Sequence, residues 1–309
     1  MVPEHELIRL IGSGSSGQVW LAKNALGIFR AAKIVYESSF RHRRPFDREF
    51  DGILKFEPVS RLHDGLVDIL QVGRNETFGY FYCVMELADD VVAGQNLNPD
   101  DYCPRTLTHD LSALRRLPVA RCIYIGSQIA SALDFLHRHG LSHGDIKPSN
   151  IVFVNGVPKL ADIGLVTEMS GKKTSYVGTE GFIPPEGPGS AQADIYALGK
   201  VLYEISTGKD RHDYPELPEE IRSFAEGRDL VQFNKIVVKA CRADTNQRFQ
   251  SAQALLDALL AFQFCKIDPQ KEKRRQSLAK TIGIVGAIFG SCIVIGMLWR
   301  MIWLLRQGR

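Results

Sequence analysis

Hydrophobic and polar residues alternate in short runs over the first quarter of the chain, a pattern typical of β-strands separated by turns. The runs 7–11, 19–23 and 30–35 each show it, and the stretch 48–56 is predicted to be a short helix. Glycine-containing turns separate the strand-like runs. The pattern therefore predicts a small β-rich part that extends to about residue 85.

Apolar residues recur every three or four positions in the rest of the chain, which predicts helices. The stretch 120–139 has this spacing, and Pro118 stands just before it, as helix starts allow. The stretches 193–206 and 251–262 are predicted to be two further helices. The polar stretch 89–117 is predicted to be a surface connection with one short helix. The fold class is therefore predicted to be α+β.

The C-terminal end combines high hydrophobicity with an excess of positive charge. Residues 282–299 contain no charged side chain, and a helix of this length spans about 27 Å, close to a bilayer core. The preceding run 271–280 has five basic side chains and one acidic one. We expect a transmembrane helix over 281–303, with a basic juxtamembrane linker at 263–280 and a short tail at 304–309. A buried core helix is the alternative.

Composition narrows the class of protein by exclusion. Apolar residues make up 45% of the chain and charged residues 24%, which is typical of globular proteins and argues against disorder. The six cysteines include no Cys-x-x-Cys pair, which argues against a zinc site and a disulfide framework. The net charge is only +3, with the basic excess at the C-terminal end, so we expect no nucleic-acid partner. The N-terminus shows no signal peptide.

A glycine-rich turn between the first two predicted strands is the first candidate for chemistry. Gly12, Gly14 and Gly17 let backbone N–H groups approach phosphate oxygens closely. Two strand-like runs follow, and the second contains Lys33. This arrangement resembles the phosphate cover of protein kinases. An ordinary hairpin turn and a solvated lysine are the alternatives.

Five motifs further along the chain, in family order, resemble those of bacterial, membrane-tethered serine/threonine protein kinases. They are the catalytic loop at 143–150, the magnesium-binding motif at 162–164, the end of the activation segment at 178–186, the helix that anchors the large lobe at 194–199, and Arg248, which stands where the family places the partner of Glu186.

The resemblance covers residues 7–262 and implies the bilobal protein kinase fold. The β-rich small lobe is expected at 7–85, the hinge at 86–88 and the helical large lobe at 89–262. The transmembrane helix would follow this domain. Thr179, Glu186, Asp194 and Arg248 are expected to have structural roles.

The resemblance also assigns the residues of phosphoryl transfer. Lys33 is expected to hold the α- and β-phosphates of ATP. Glu49 is its expected carboxylate partner; Glu57 is the rival, but the following Pro58 argues against a place in mid-helix. Asp145 is expected to orient the acceptor hydroxyl and Lys147 to bind the γ-phosphate. The residues expected to bind magnesium are Asn150 and Asp162.

The adenine of ATP is expected between apolar side chains and the hinge. Met85 is expected to be the gatekeeper, and the backbone of Glu86 and Ala88 is expected to hydrogen-bond the adenine edge. The full set of expected ATP contacts is Ile11, Gly12, Gly14, Gly17, Val19, Ala31, Lys33, Glu49, Met85, Glu86, Ala88 and Val152.

Two positions depart from the family pattern. Gly144 stands where the family usually has an arginine that pairs with a phosphorylated activation segment, which implies activity without such phosphorylation. Ile163 replaces the usual phenylalanine of the magnesium motif and still fills an apolar position. Besides an active protein kinase, two alternatives remain: a pseudokinase scaffold, which only Gly144 suggests, and a kinase of small molecules.

The resemblance and the membrane span together predict the biological setting. We expect an ATP- and Mg²⁺-dependent kinase of protein serine and threonine, with its kinase domain on the cytoplasmic side of a bacterial inner membrane. Gly286 and Gly290 form a Gly-x-x-x-Gly pair that would allow two spans to form a homodimer. The alternative is that glycines are simply common in membrane spans.

Overall fold

The computed structural model describes residues 2–14, 17–162, 166–169 and 178–267. Over these ranges the chain forms an antiparallel sheet with one long helix, followed by a mainly helical part. The predicted span 281–303 lies outside the described residues, as do Ile163 and Gly164. None of the helices in the described ranges is long and apolar enough to cross a membrane.

The sheet of the small lobe has the strand order β1-β2-β3-β5-β4, and every neighbouring pair is antiparallel. In the turn between the second and third strands, the Asn24 side chain accepts hydrogen bonds from the N–H groups of Leu26 and Ile28. This turn fixes the register that pairs Val19 with Lys33. The strands are β1 His5–Ser13, β2 Gly17–Asn24, β3 Phe29–Tyr36, β4 Ile69–Asn75 and β5 Tyr80–Met85.

Helix α1, Arg43–Ser60, is longer at both ends than the predicted stretch 48–56. It contains both Glu57 and Pro58, but only in its last turn, so Glu57 has no place in mid-helix, as the following proline predicted. Pro58 lies in the last turn, and the helix is held against the sheet by Phe46 and other buried side chains. The Phe46 and Phe81 ring centroids are 5.0 Å apart. Tertiary burial therefore outweighs the local cost of the proline.

The described part of the large lobe is built from helices α2 to α6 and two short antiparallel strand pairs, the hairpin β7-β8 and the pair β6-β9. The helices predicted at 120–139, 193–206 and 251–262 are all present, whereas α5 was not predicted. At the contact of α3 with α4, a Cβ at Gly126 would lie 2.9 Å from a methyl group of Leu202, so a larger residue would force Leu202 to shift. The elements are α2 Leu107–Leu114, α3 Val119–Arg138, β6 Leu141–Ser142, β7 Ile151–Val154, β8 Val157–Leu160, β9 Thr167–Glu168, α4 Ala191–Thr207, α5 Gly227–Ala240 and α6 Ala252–Ile267.

The stretch between β5 and α3 differs from its prediction. The short helix is present as α2, but the residues before it are not merely a surface connection. Tyr102 is only 2% exposed, and Asp89 and Asp90 are also buried. The polar composition concealed this burial, because the two aspartates use their carboxylates to cap backbone N–H groups.

Candidate active site

Lys33 lies on β3 and bridges two carboxylates from different parts of the chain. Its Nζ is 2.9 Å from Oε1 of Glu49 on α1 and 2.7 Å from Oδ1 of Asp162, which follows β8. Glu57 instead pairs with the exposed Arg61 at 2.9 Å. Of the two candidates on α1, the structure therefore places Glu49 beside Lys33.

The electrostatics of this cluster favour its charged form. Burial lowers the pKa of Lys33, but the charges of Asp162 and Glu49 outweigh burial and raise it above its ordinary value. Burial likewise raises the pKa of Asp162, and the charge and hydrogen bond of Lys33 overcome this and lower it. Each ion therefore stabilises the charged form of the other.

Asp145 is held by three side chains that meet in the catalytic loop. Its Oδ2 accepts hydrogen bonds from Lys147 Nζ at 2.7 Å and Asn150 Nδ2 at 2.9 Å. Its Oδ1 accepts one from the Thr179 hydroxyl at 2.9 Å, and Lys147 also donates to that hydroxyl at 2.9 Å. The carboxylate is therefore fixed in one orientation, and the network brings the end of the activation segment to the catalytic loop.

Asn150 and Asp162 have the right donor atoms for a hard cation. Both amide hydrogen bonds of Asn150 go from Nδ2 to Asp145, so a metal would meet Oδ1, which accepts one long hydrogen bond from the Ser149 hydroxyl at 3.4 Å. Asp162 uses Oδ1 for Lys33, and its side chain is 44% exposed. Its φ of +56° is a conformation that aspartate adopts more readily than most residues. The described residues contain no cluster of three or more His, Cys, Asp or Glu side chains that could bind a metal by itself. A magnesium ion here would need phosphate or water oxygens as well.

The glycine-rich turn lies between β1 and β2. The N–H of Gly14 donates to the carbonyl of Gly17 at 2.9 Å and closes the turn. A side chain at Gly17 would meet the Ile34 carbonyl at 2.6 Å, so β3 itself requires glycine there. Gly14 has open space beside it. Close strand packing thus explains Gly17, whereas Gly12 and Gly14 remain the phosphate-binding candidates.

The residues expected to contact adenine come from both lobes and the hinge. Ile11, Val19 and Met85 pack against one apolar cluster that contains Ala31. Val152 lies on β7 in the large lobe. The Glu86 side chain points to Lys159 Nζ, at 2.6 Å, so its interaction with a base would be through the backbone, as predicted.

Asp194 lies in the first turn of α4 and positions the catalytic loop. Its carboxylate accepts hydrogen bonds from the N–H groups of His143 and Gly144, each at 2.9 Å. Gly144 has a φ of +82°, where a side chain would be strained. The glycine that replaces the family's arginine therefore suits the backbone of this loop.

Arg248 is fully buried and forms an ion pair with Glu186. Its Nη1 lies 2.5 Å from Oε1 of Glu186, and its Nη2 is 3.2 Å from Oε2. The guanidinium also donates to the carbonyls of Arg242 and Gln192. This is the pairing that the sequence predicted.

Sequence reasoning missed two histidines and a tyrosine. His143 is fully buried, and its ring bonds to the Ala161 carbonyl at 3.1 Å. His137 Nε2 lies 2.9 Å from Asp194 Oδ2. His143 is the first residue of the catalytic-loop motif at 143–150 but was given no role, whereas neither His137 nor Tyr102 belongs to any motif.

Comparison with known proteins agrees with this geometry. A family model described as protein kinase domain matches residues 5–272. The chain belongs to the protein kinase family. The predicted bilobal kinase fold, with its β-sheet small lobe and helical large lobe, is confirmed by this match. The individual roles of the site residues stay predictions.

Several curated bacterial protein kinases are similar to the chain. It is 25% identical over 306 residues to the serine/threonine-protein kinase PrkC of Bacillus subtilis. The aligned stretch covers 91% of the chain and 44% of PrkC. It is 30% identical over 283 residues to the DNA damage-responsive serine/threonine-protein kinase RqkA of Deinococcus radiodurans. This alignment covers 82% of the chain and 39% of RqkA. The chain therefore spans less than half the length of these relatives.

Proposed function

We propose that this protein kinase transfers the γ-phosphate of ATP to serine and threonine hydroxyls of proteins, with Mg²⁺. The observation that carries the proposal is the pair of networks around Lys33 and Asp145. All four side chains that the chemistry requires are present: a phosphate-binding lysine, a base and two metal ligands. The names of the curated relatives support serine and threonine as acceptors.

The proposed mechanism relies on positioning and charge. Lys33, oriented by Glu49, binds the α- and β-phosphates, and Lys147 binds the transferred phosphate. Magnesium held by Asn150 and Asp162 would neutralise phosphate charge. Asp145 orients the acceptor hydroxyl and accepts its proton. Thr179 connects this carboxylate to the end of the activation segment at 178–186.

The test is phosphate transfer by the full-length protein from radiolabelled ATP to a generic protein substrate. Asp145→Asn should lower the rate about a hundredfold to ten-thousandfold, because a positioned general base is lost. The matched control is Asp257→Asn, since Asp257 is an exposed residue of α6 bonded only locally, to Gln253. Equal activity of Asp145→Asn and wild type would contradict the assignment. ATP binding without any transfer would instead favour the pseudokinase scaffold.

We further propose that the kinase is anchored by the span 281–303, with the kinase domain in the cytoplasm of a bacterial cell and a homodimer formed through Gly286 and Gly290. The basic run 271–280 supports this orientation, because basic flanks stay on the cytoplasmic side. Protease should then digest the kinase domain in inside-out vesicles and spare it in right-side-out cells. The reverse protection would overturn the orientation.

Helix pairing is tested separately with a membrane-association reporter that contains the span. The Gly286→Ile and Gly290→Ile variants should each give a weaker signal than the unchanged span, because the larger side chains keep two helices apart. Equal signals from all three would remove the homodimer from the proposal.

A further inference from the structure

The residues between the hinge and α2 form a closed loop, which we call the hinge segment, residues 90–106. Asp90 closes it from inside. Its Oδ1 accepts hydrogen bonds from the N–H groups of Val92 at 2.9 Å and Ala93 at 2.7 Å, and its Oδ2 accepts one from Cys103 at 2.8 Å. The two halves of the segment are therefore held together by one carboxylate.

Both ends of the hinge segment are attached to the large lobe. Asp89 accepts hydrogen bonds from the N–H groups of Asn155 and Gly156, each at 2.8 Å, in the turn between β7 and β8. The N–H of Arg105 donates to the Asp89 carbonyl at 2.8 Å. The segment thus leaves and returns at one fixed point beside the hinge.

Tyr102 projects from the hinge segment into the apolar cluster of the nucleotide site. It is 2% exposed and packs in one cluster with Leu21, Ala31 and Leu87. Ile11, Val19 and Met85 pack against the same cluster. Four residues of this group, namely Ile11, Val19, Ala31 and Met85, are among the expected ATP contacts, and Val19 and Ala31 are expected to sandwich the adenine together with Val152.

Tyr102 also forms two polar contacts that hold it in place. Its hydroxyl donates to the Ala88 carbonyl at 3.0 Å, and the Arg9 guanidinium donates to the Tyr102 carbonyl. Burial, with a further contribution from the charge of Asp90, raises the pKa of Tyr102. The hydroxyl therefore keeps its proton and remains a donor. Arg9 lies on β1, so the contact ties the hinge segment to the strand that leads into the glycine turn.

We propose that Tyr102 is a specificity-determining residue of the nucleotide site and that the hinge segment is the outer wall of this site. The proposal rests on the proposed use of ATP at the hinge. The Ala88 backbone is expected to meet the base, and its carbonyl already accepts a hydrogen bond from Tyr102. The group that Ala88 presents to the base is therefore its N–H.

This arrangement selects against purines with a donor at C2. Adenine offers its 6-amino donor to the Glu86 carbonyl and its N1 acceptor to the Ala88 N–H, with only hydrogen at C2. A 2-amino group, next to N1, would need the Ala88 carbonyl as acceptor. That oxygen already accepts a hydrogen bond from the Tyr102 hydroxyl, so a 2-amino group would have to share it. Sharing the acceptor would weaken the hydrogen bond to the 2-amino group.

The experiment compares ATP with 2-amino-ATP, the triphosphate of 2,6-diaminopurine riboside, on the full-length protein. Both the dissociation constant and kcat/KM are measured. Wild type should prefer ATP. Tyr102→Phe keeps the ring and frees the carbonyl, so the ratio of 2-amino-ATP to ATP should rise about 2- to 10-fold in both quantities.

Tyr203→Phe is the matched control. Tyr203 is also fully buried, and its hydroxyl also donates to a backbone carbonyl, that of Glu216 at 2.6 Å, but it lies on α4 of the large lobe. Its ratio should equal that of wild type. A second variant, Arg9→Gln, removes the contact to the Tyr102 carbonyl and leaves the hydroxyl. It should weaken ATP binding about 2- to 5-fold without raising the ratio.

The outcomes separate this proposal from the proposed function. If wild type binds and uses ATP but the ratio is unchanged in Tyr102→Phe, the role of Tyr102 is overturned and the kinase activity stands. The same holds if Tyr203→Phe changes the ratio equally. If wild type binds ATP without transfer, the dissociation constants still decide the role of Tyr102. Absence of binding by either nucleotide to wild type would overturn both proposals.

Discussion

Two buried basic side chains, Arg248 and Lys33, each pair with carboxylates, but they differ in what else surrounds them. Arg248 pairs with Glu186, and Lys33 pairs with Glu49 and Asp162. The Arg248 side chain is fully buried, and each of its three nitrogens donates to a carboxylate or a backbone carbonyl. The Lys33 side chain is 9% exposed, and its partner Asp162 is 44% exposed, compared with 31% for Glu186.

The difference separates a structural pair from one that a ligand can rearrange. A guanidinium with every nitrogen engaged forms a rigid connection between the activation segment and the large lobe. An ammonium is a compact charge with three rotatable donors, so Lys33 can turn from one oxygen to another. The Asp162 side chain is open to solvent, so a phosphate or a metal could approach it from its exposed side.

The largest expected loss of stability comes from breaking the pair of Arg248 and Glu186. Arg248→Ala should lower the free energy of unfolding by about 3–5 kcal/mol, because Glu186 and two backbone carbonyls lose their buried partner. Urea unfolding followed by circular dichroism measures it. The control is Arg138→Ala, which breaks an ion pair with Asp134 whose arginine is 70% exposed, and it should cost at most about 1 kcal/mol. Equal losses in the two variants would show that the Arg248 pair is not structural.

The second prediction concerns the Lys33 pair, whose loss should lower activity more than stability. Lys33→Met should lower kcat/KM about 100- to 1000-fold, because a preorganised charge that binds phosphate is lost. Its loss of unfolding free energy should be about 1–3 kcal/mol, smaller than that of Arg248→Ala, because water can solvate Asp162 and only one of the two carboxylate partners, Glu49, is buried. Lys235→Met, at an exposed site on α5, should change neither quantity. A stability loss as large as that of Arg248→Ala would remove the distinction.

The smallest effect is a pH dependence that sharpens the comparison. Lys33 lowers the pKa of Asp162 below its ordinary value of 3.8 despite the opposing effect of burial. A carboxyl group with a lowered folded-state pKa stabilises the fold above pH 3.8 and loses this contribution as the pH falls through the folded value. The stability of wild type should therefore fall more steeply below pH 3.8 than that of Asp162→Asn. Parallel curves from acid titration of urea unfolding would show that the ion pair contributes nothing.

Local patterns in the sequence were sufficient to predict several elements. The helical spacing from Cys122 to Leu136 became α3, and the alternation from Arg30 to Val35 became β3. The bounds were less certain, because burial of residues distant in sequence decides where an element stops. Helix α1 continues through Glu57 and Pro58 since its apolar side packs on the sheet. The unpredicted α5 shows the same dependence on tertiary contacts.

The sequence by itself determined the family and the residues of the candidate site, because short motifs such as 143–150 carry their chemistry in residue type and spacing. The sequence also predicted Glu49 as the partner of Lys33, but only the tertiary structure added Asp162 to this pair and brought Thr179 to Asp145. The tertiary structure alone also brought Tyr102 to the Ala88 carbonyl. The physical reason is range: spacing along the chain specifies what neighbouring residues can do. Contacts between residues far apart in sequence depend on how the whole chain packs, which no local pattern encodes.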